Sequence, residues 1–378
     1  MDESVINRVL ELAIKVQQIP APTFSEGQRA RFIQQNFLDQ GISDVTVDTV
    51  GNVYAHLVGR GEALPLIISA HLDTVFPSNT DLLLTRSSDR LSGPGIGDNS
   101  LGLAALFGLF WELNDAGIDQ LARLPLPGDL WLVANVCEEG LGNLRGMKAI
   151  VDRFGNNILA YLILEGMSLR HVYHRGLGVR RYHINVRTPG GHSWLDYGQP
   201  SAIHELAELV VKIKNLPLPA DTRCSLNVGV ISGGTSVNTI AAEASLQLDI
   251  RSESSQTLDM LIAQVEKAVG DAAQEGGGKV KVSAEVIGER PAGELPIEHP
   301  LVKLAVKCLD AQGITANLNI GSTDANEPLS RGLPAICVGI TTGGGAHTLE
   351  EYIDIGPVGH GLAYLVDLIY AIFQERGK

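Results

Sequence analysis

Residues 64–75 read LPLIISAHLDTV. The run 64–70 is apolar apart from Ser69, which marks a strand buried on both faces, and it stops abruptly at His71-Leu72-Asp73. A strand with so apolar a body has no surface reason to end in a histidine and an acid. In extended chain the side chains of His71 and Asp73 project to the same side, so the carboxylate can orient an imidazole that binds a metal.

The same pattern continues outward from this strand. A helix over 99–116, a strand at 130–136, a helix at 144–154 and a strand at 159–164 follow in turn. Apolar strands alternating with helices are the mark of a mainly parallel sheet covered on both faces. Upstream, Val5, Val9, Leu12 and Val16 recur at helical spacing and predict a helix over 3–19, stopped by Pro20. Ser25 with Gln28 reads as a capping box opening a second helix to about residue 39, and short strands at 44–49 and 53–58 flank Gly51-Asn52.

Beyond 178 the rhythm changes to strand 181–187, helix 200–214, strands 224–231 and 244–251, helix 258–275 and strand 279–286. That order, β-α-β-β-α-β, is the ferredoxin-like unit. Alternation then resumes with a helix at 300–312, strands at 317–320 and 334–340, and a helix at 358–375. The expected fold class is therefore α/β, with a discontinuous catalytic domain over 1–177 and 292–378 whose sheet is mainly parallel. An inserted ferredoxin-like α+β domain occupies 178–291.

Composition narrows the function classes. The 378 residues carry a formal net charge of −14, which argues against nucleic acid or an anionic membrane as partner, since polyphosphate surfaces need a basic footprint. Charged residues are 19% and hydrophobic ones 44%, a balance that excludes disorder and coiled coil. The start, MDESVINRVL, has acids where a secretory signal has basic residues, and the expectation is a cytoplasmic protein. Cys137, Cys224, Cys308 and Cys337 form no CxxC pair and read as packing thiols.

Acids and histidines at strand ends are the candidate site. Asp98 closes the glycine-rich stretch Gly93-Pro94-Gly95-Ile96-Gly97 just before a helix, where it can cap that helix or face a site. A dinucleotide loop is a poor alternative, because the stretch does not directly follow a strand and puts an acid where a phosphate would sit. Glu138-Glu139 ends the strand 130–136. Adjacent carboxylates there repel unless a cation or proton compensates, although a surface pair is the plainer alternative. Glu165 follows the strand 159–164, and His347 sits on the loop Gly343-Gly344-Gly345-Ala346. His171 and His174, spaced i, i+3 near the start of the insertion, are a lesser ligand candidate.

Taken together, His71-Leu72-Asp73-Thr74-Val75, Gly97-Asp98-Asn99, Cys137-Glu138-Glu139-Gly140, Leu164-Glu165-Gly166 and Ala346-His347 resemble, in order, the motifs of the M20 family of metallopeptidases. That family includes glutamate carboxypeptidase, succinyl-diaminopimelate desuccinylase, acetylornithine deacetylase and peptidase T. The resemblance implies two Zn2+ per subunit, with Co2+ or Mn2+ as substitutes. Asp98 would bridge the ions, with His71 and Glu165 on one and Glu139 and His347 on the other. It implies Glu138 as general base for a water held between the ions, and Asp73 as the group that holds His71 in its tautomer. In the insertion, His192 of Pro189-Gly190-Gly191-His192-Ser193 resembles the histidine that stabilises the oxyanion in a neighbouring subunit. Asn238, Arg251 and Thr323 match substrate contacts, with a surface ion pair the ordinary alternative for Arg251. The implied activity is hydrolysis of an amide bond in small peptides or N-acyl amino acids bearing a free carboxylate, by a homodimer joined through the insertion. A non-catalytic metal-binding member of the same fold is the rival reading. The sequence departs from many relatives at Asn99-Ser100, which follow the bridging aspartate.

Overall fold

A computed structural model describes residues 2–115 and 126–376. The chain divides into two compact units, Met1–Gly176 with Gly293–Lys378, and Leu177–Ala292. The insertion is thus one residue longer at each end than the expected 178–291.

In the first unit the sheet runs in the order Val45–Val47, Val53–Leu57, Gly128–Asn135, Ala63–His71, Tyr161–Glu165, Ala335–Gly339, His171–Gly176 and Gly293–Glu294. Its four central strands, from Gly128–Asn135 to Ala335–Gly339, are mutually parallel. The flanking pairs are antiparallel, apart from Asn317–Gly321, which adds in parallel to His171–Gly176. The sheet is therefore mixed, with a parallel centre and mostly antiparallel flanks. Leu66, Ile67 and Ile68 are fully enclosed, as expected of a strand with helices on both faces.

The helix Leu101–Asp115 is apolar on nearly every side and lies against the helices Glu3–Gln17 and Val358–Arg376. Its expected end at 116 lies outside the described residues. Its start differs from expectation, because Asp98 and Asn99 have non-helical backbone angles and their side chains are committed to neighbours instead of capping. The capping box at Ser25 and Gln28 does not form either. The helix Gly27–Asp39 is preceded by Glu26, whose carboxylate turns inward to accept from the amides of Phe24 and Cys137. The strand His171–Gly176 has no counterpart in the sequence reading. Its buried positions alternate with His171, Tyr173 and Arg175, a half-exposed pattern weaker than the apolar runs around it.

The second unit is a four-stranded antiparallel sheet in the order Cys224–Gly233, Glu243–Ser252, Gly178–Arg187, Lys281–Arg290. Helices Ala202–Lys214 and Ser255–Glu275 complete the β-α-β-β-α-β order. It has its own core, in which Ile184, Leu206, Leu246, Ile250, Leu261 and Val265 pack together. Among the described residues no helix is long and apolar enough to cross a membrane.

Candidate metal centre

Parallel strands deliver their carboxyl ends to one edge of a sheet, where open α/β folds bind ligands. His71 ends the strand Ala63–His71, Glu165 ends Tyr161–Glu165, and Glu138-Glu139 follows Gly128–Asn135. These ends meet the loop bearing Asp98 and the loop bearing His347. Two donor groups result, His71 with Asp98 and Glu165, and Asp98 with Glu139 and His347, each with its ligand atoms within 4.8 Å of one another. A third grouping, His71 with Glu138 and Glu139, falls within the same limit.

The Asp98 carboxylate is divided between the two groups. Its Oδ1 is 3.0 Å from His71 Nε2, and its Oδ2 is 3.0 Å from His347 Nε2. His347 Nε2 also stands 3.1 Å from Glu139 Oε1, and His71 Nε2 stands 3.8 Å from Glu165 Oε1. Two imidazole nitrogens and three carboxylates, one of them shared, form a donor set suited to borderline divalent cations. The thiol of Cys137 is no competitor. Burial pushes it up to about 12, and its Sγ points 3.5 Å from Glu26 Oε1.

Electrostatics mark the cluster as short of positive charge. Burial lifts both Glu139 and Glu165 to about 7, against the pull of the histidines and with the help of neighbouring carboxylates. Hydrogen bonds to Asp98 and Glu139 raise His347 to about 10. Burial opposes ionisation of Asp98, yet the bonds from His347 and His71 hold it far below the usual carboxylate range. Protons held between imidazoles and carboxylates occupy the places that cations compete for.

The surroundings explain the geometry. His71 Nδ1–H donates to the main-chain carbonyl of Asp73 at 3.0 Å, which turns Nε2 toward Asp98. The Asp73 carboxylate, 3.6 Å from Nδ1, stands beside the imidazole it was expected to orient and has a second job as well. Its Oδ1 accepts from the amide of Glu138 and its Oδ2 from the amide of Glu139 and the hydroxyl of Thr23, so it fixes the backbone of the acid pair. Arg29, fully buried, donates to the carbonyls of Ile19 and Leu72 and anchors the His71-Leu72-Asp73 turn from behind. Asn99 clasps the end of the Glu165 strand, donating to the Leu164 carbonyl at 2.7 Å and accepting from the Gly166 amide at 3.1 Å. Only glycine fits at 166, because a Cβ there would collide with the Gly97 carbonyl.

Asp324 was not singled out by sequence. It is wholly buried, with Oδ2 accepting from Asn135 Nδ2 at 2.6 Å and Oδ1 without a partner among the described residues. Burial first, and the charge of Glu138 next, raise its pKa well above the usual value. A carboxyl raised on folding holds a proton that the unfolded chain releases, so its contribution to stability is lost as pH climbs from about 4 through the folded pKa. Thermal melts should accordingly show Asp324→Asn gaining on the wild type as pH rises from about 4 to 8. Parallel melting curves would count against a protonated Asp324.

The remaining expected residues fall elsewhere. Thr323, next to Asp324, is partly buried and its Oγ1 accepts from the amide of Ala325. In the insertion, His192 and Asn238 come together, because Gly191–His192 pairs with Thr239–Ile240 and the Asn238 carbonyl accepts from the Ser193 amide. His192 is exposed, and its Nδ1 accepts from the amides of Trp194 and Leu195, so the ring proton sits on Nε2. Arg251 stands on another strand with Nε on Asp249 at 2.7 Å, an acid it shares with Arg181. His174 Nδ1 bonds the Leu295 carbonyl and His171 Nδ1 meets Asn319, so both serve packing.

Comparison with known proteins gives the family. A peptidase dimerisation domain model of the M20 type matches residues 175–277, and a peptidase family M28 model matches 52–173, the stretch that carries every clustered residue but His347. Acetylornithine deacetylase of Klebsiella pneumoniae is 32% identical over 76% of this chain and 75% of its own length. This chain belongs to the M20 metallopeptidase family. As an M20 protein it is an enzyme, a metallohydrolase of the peptidase and amidohydrolase kind. Among solved structures, a tripeptidase of Staphylococcus aureus superposes with a TM-score of 0.82 at 19% identity, covering 98% of this chain and 99% of that one. A dinuclear metal-binding M20 peptidase of Bacillus subtilis gives 0.70 at 15% identity over 99% of both chains. These likenesses confirm the α/β fold with its separate dimerisation domain.

Proposed function

We propose that this M20 enzyme is a two-zinc hydrolase that cleaves an amide bond in small peptides or N-acyl amino acids bearing a free carboxylate. The observation that carries the reading is the division of Asp98 between two donor groups. His71, Asp98 and Glu165 would hold one ion and Asp98, Glu139 and His347 the other, with cobalt or manganese able to stand in. When bound, the ions polarise the scissile carbonyl and lower the pKa of water. Glu138, dispensable for either donor group yet almost wholly buried beside both, takes the proton from the attacking water and passes it to the departing amine nitrogen. Asp73, through the Glu138 and Glu139 amides, keeps that carboxylate aimed.

His192, with its proton on Nε2 and its place on an exposed turn, is suited to donate to the developing oxyanion in the neighbouring subunit of a homodimer. Asn238, Arg251 and Thr323 would contact the substrate, the arginine taking its carboxylate in exchange for part of its pairing with Asp249. The deacetylase and desuccinylase relatives and the tripeptidase neighbour support both substrate types.

Zinc content per chain together with a panel of dipeptides, tripeptides and N-acyl amino acids tests the proposal. Turnover of a panel member, removed by chelator and restored by zinc, is the expected result. Two bound zinc ions without turnover would favour a metal-binding member that does not catalyse. His192→Ala should lower kcat by about 10²-fold or more, the cost of losing one oxyanion donor. Mixing it with Glu138→Gln protein should restore part of the activity, and no recovery despite subunit exchange would overturn the role across the dimer.

A further inference from the structure

Two consecutive acids follow His347 closely, and they differ completely in environment: Glu350 is exposed and Glu351 fully buried. The Glu351 carboxylate accepts from the amides of Gly97 at 2.7 Å and Asp98 at 2.8 Å through Oε1, and from the amide of Gly95 at 3.1 Å through Oε2. Its main-chain carbonyl accepts from Gly93 at 2.8 Å. One residue therefore receives four amides of the loop that ends in Asp98. The same residue closes the turn that presents His347, because Gly343–Gly344 pairs with Tyr352–Ile353 and leaves 345–351 as the hairpin loop. Within that loop His347 adopts a left-handed backbone, and its 54% exposed side chain reaches Asp98 and Glu139 through Nε2.

We infer that Glu351 is a positioning residue that locks the Asp98 loop to the His347 hairpin, and so fixes the separation of the two metal positions. The inference rests on the two-metal reading above. Three amides converging on one carboxylate leave no freedom for the loop to rotate Asp98 away from either imidazole. A neutral amide cannot replace it, since its NH2 group would face a main-chain N–H and present donor to donor. Because Asp98 is shared, loosening the lock weakens both positions at once.

The test is a zinc titration of the full chain against a chromophoric chelator, with folding checked by circular dichroism. Glu351→Gln should bind zinc about 10–100-fold more weakly than the wild type at both positions, the usual cost of losing a group that orients metal ligands. Glu350→Gln, which removes the same charge from the same hairpin without touching the amides, should bind as the wild type does. Unchanged affinity in a folded Glu351→Gln, or equal losses in both variants, overturns the inference. Should Glu351→Gln not fold, Glu351→Asp, whose carboxylate falls a methylene short of the amides, is titrated instead, and wild-type affinity there overturns it equally. If the wild type itself takes up no zinc and His71→Ala matches it, the two-metal reading fails rather than the lock.

Discussion

Glu138→Gln is expected to reduce kcat by about 10²–10⁴-fold, the range general-base catalysis commonly supplies, while the protein still binds two zinc ions. The carboxamide keeps the shape of the side chain and removes only its capacity to accept a proton. Neither donor group needs Glu138, since His71, Asp98 and Glu165 complete one and Asp98, Glu139 and His347 the other. Its amide remains on Asp73 Oδ1 at 3.0 Å, so the backbone of the acid pair should not move. Loss confined to kcat identifies a group acting on the reacting atoms, whereas a rise in KM alone would assign Glu138 to substrate binding. A variant that turns over at the wild-type rate, or that loses zinc, would refute the assignment.

Metal removal is the second large effect. Dialysis against a chelator is expected to abolish activity and lower the melting temperature, with zinc restoring both and cobalt or manganese restoring activity in part. A ligand present at 100 times its Kd stabilises the folded state by about 2.7 kcal/mol. The pH dependence of that stabilisation is also fixed. Glu139 and Glu165, raised to about 7, bind protons that the unfolded chain has released above about 4.5, so metal-free stability from these groups falls as pH rises through 7. His347, raised to about 10, contributes fully below about 6.5 and loses its contribution as pH rises through 10. Both trends weaken the metal-free protein at higher pH, while cations bind better once those protons leave. The shift in melting temperature on adding zinc should therefore grow between about pH 5 and 9. A shift that shrinks over this range would contradict the competition between protons and metal.

Much of the site was legible because its donors are rare residues in conspicuous places. His71, Glu139 and Glu165 interrupt apolar strands where a charge has no surface role, and Asp98 and His347 sit on glycine-rich loops. The residues that hold those donors left no such signature. Asn99 stood out only as a departure from relatives, although it ties the Asp98 loop to the Glu165 strand. The Asp73 carboxylate lies 3.6 Å from the His71 imidazole it was expected to orient, but the carbonyl of Asp73 also bonds that imidazole and the carboxylate binds two amides besides. Side chains that accept main-chain N–H groups obey no residue code, because every partner residue offers the same donor. Asp324 and Glu351 stayed hidden for that reason and because burial depends on segments distant in the chain.

The sequence by itself determined the fold class and picked out the candidate donors, since periodicity reports which faces are buried and residue type sets what can bind a cation. It also separated the insertion from the surrounding domain by the change in element order. Only the tertiary structure decided which oxygen of Asp98 faces which imidazole, and which of Glu350 and Glu351 is buried. Those outcomes depend on parallel strand register and on loops that meet across more than 250 residues, between Asp98 and Glu351. Such distances are set by packing, and no local pattern carries them.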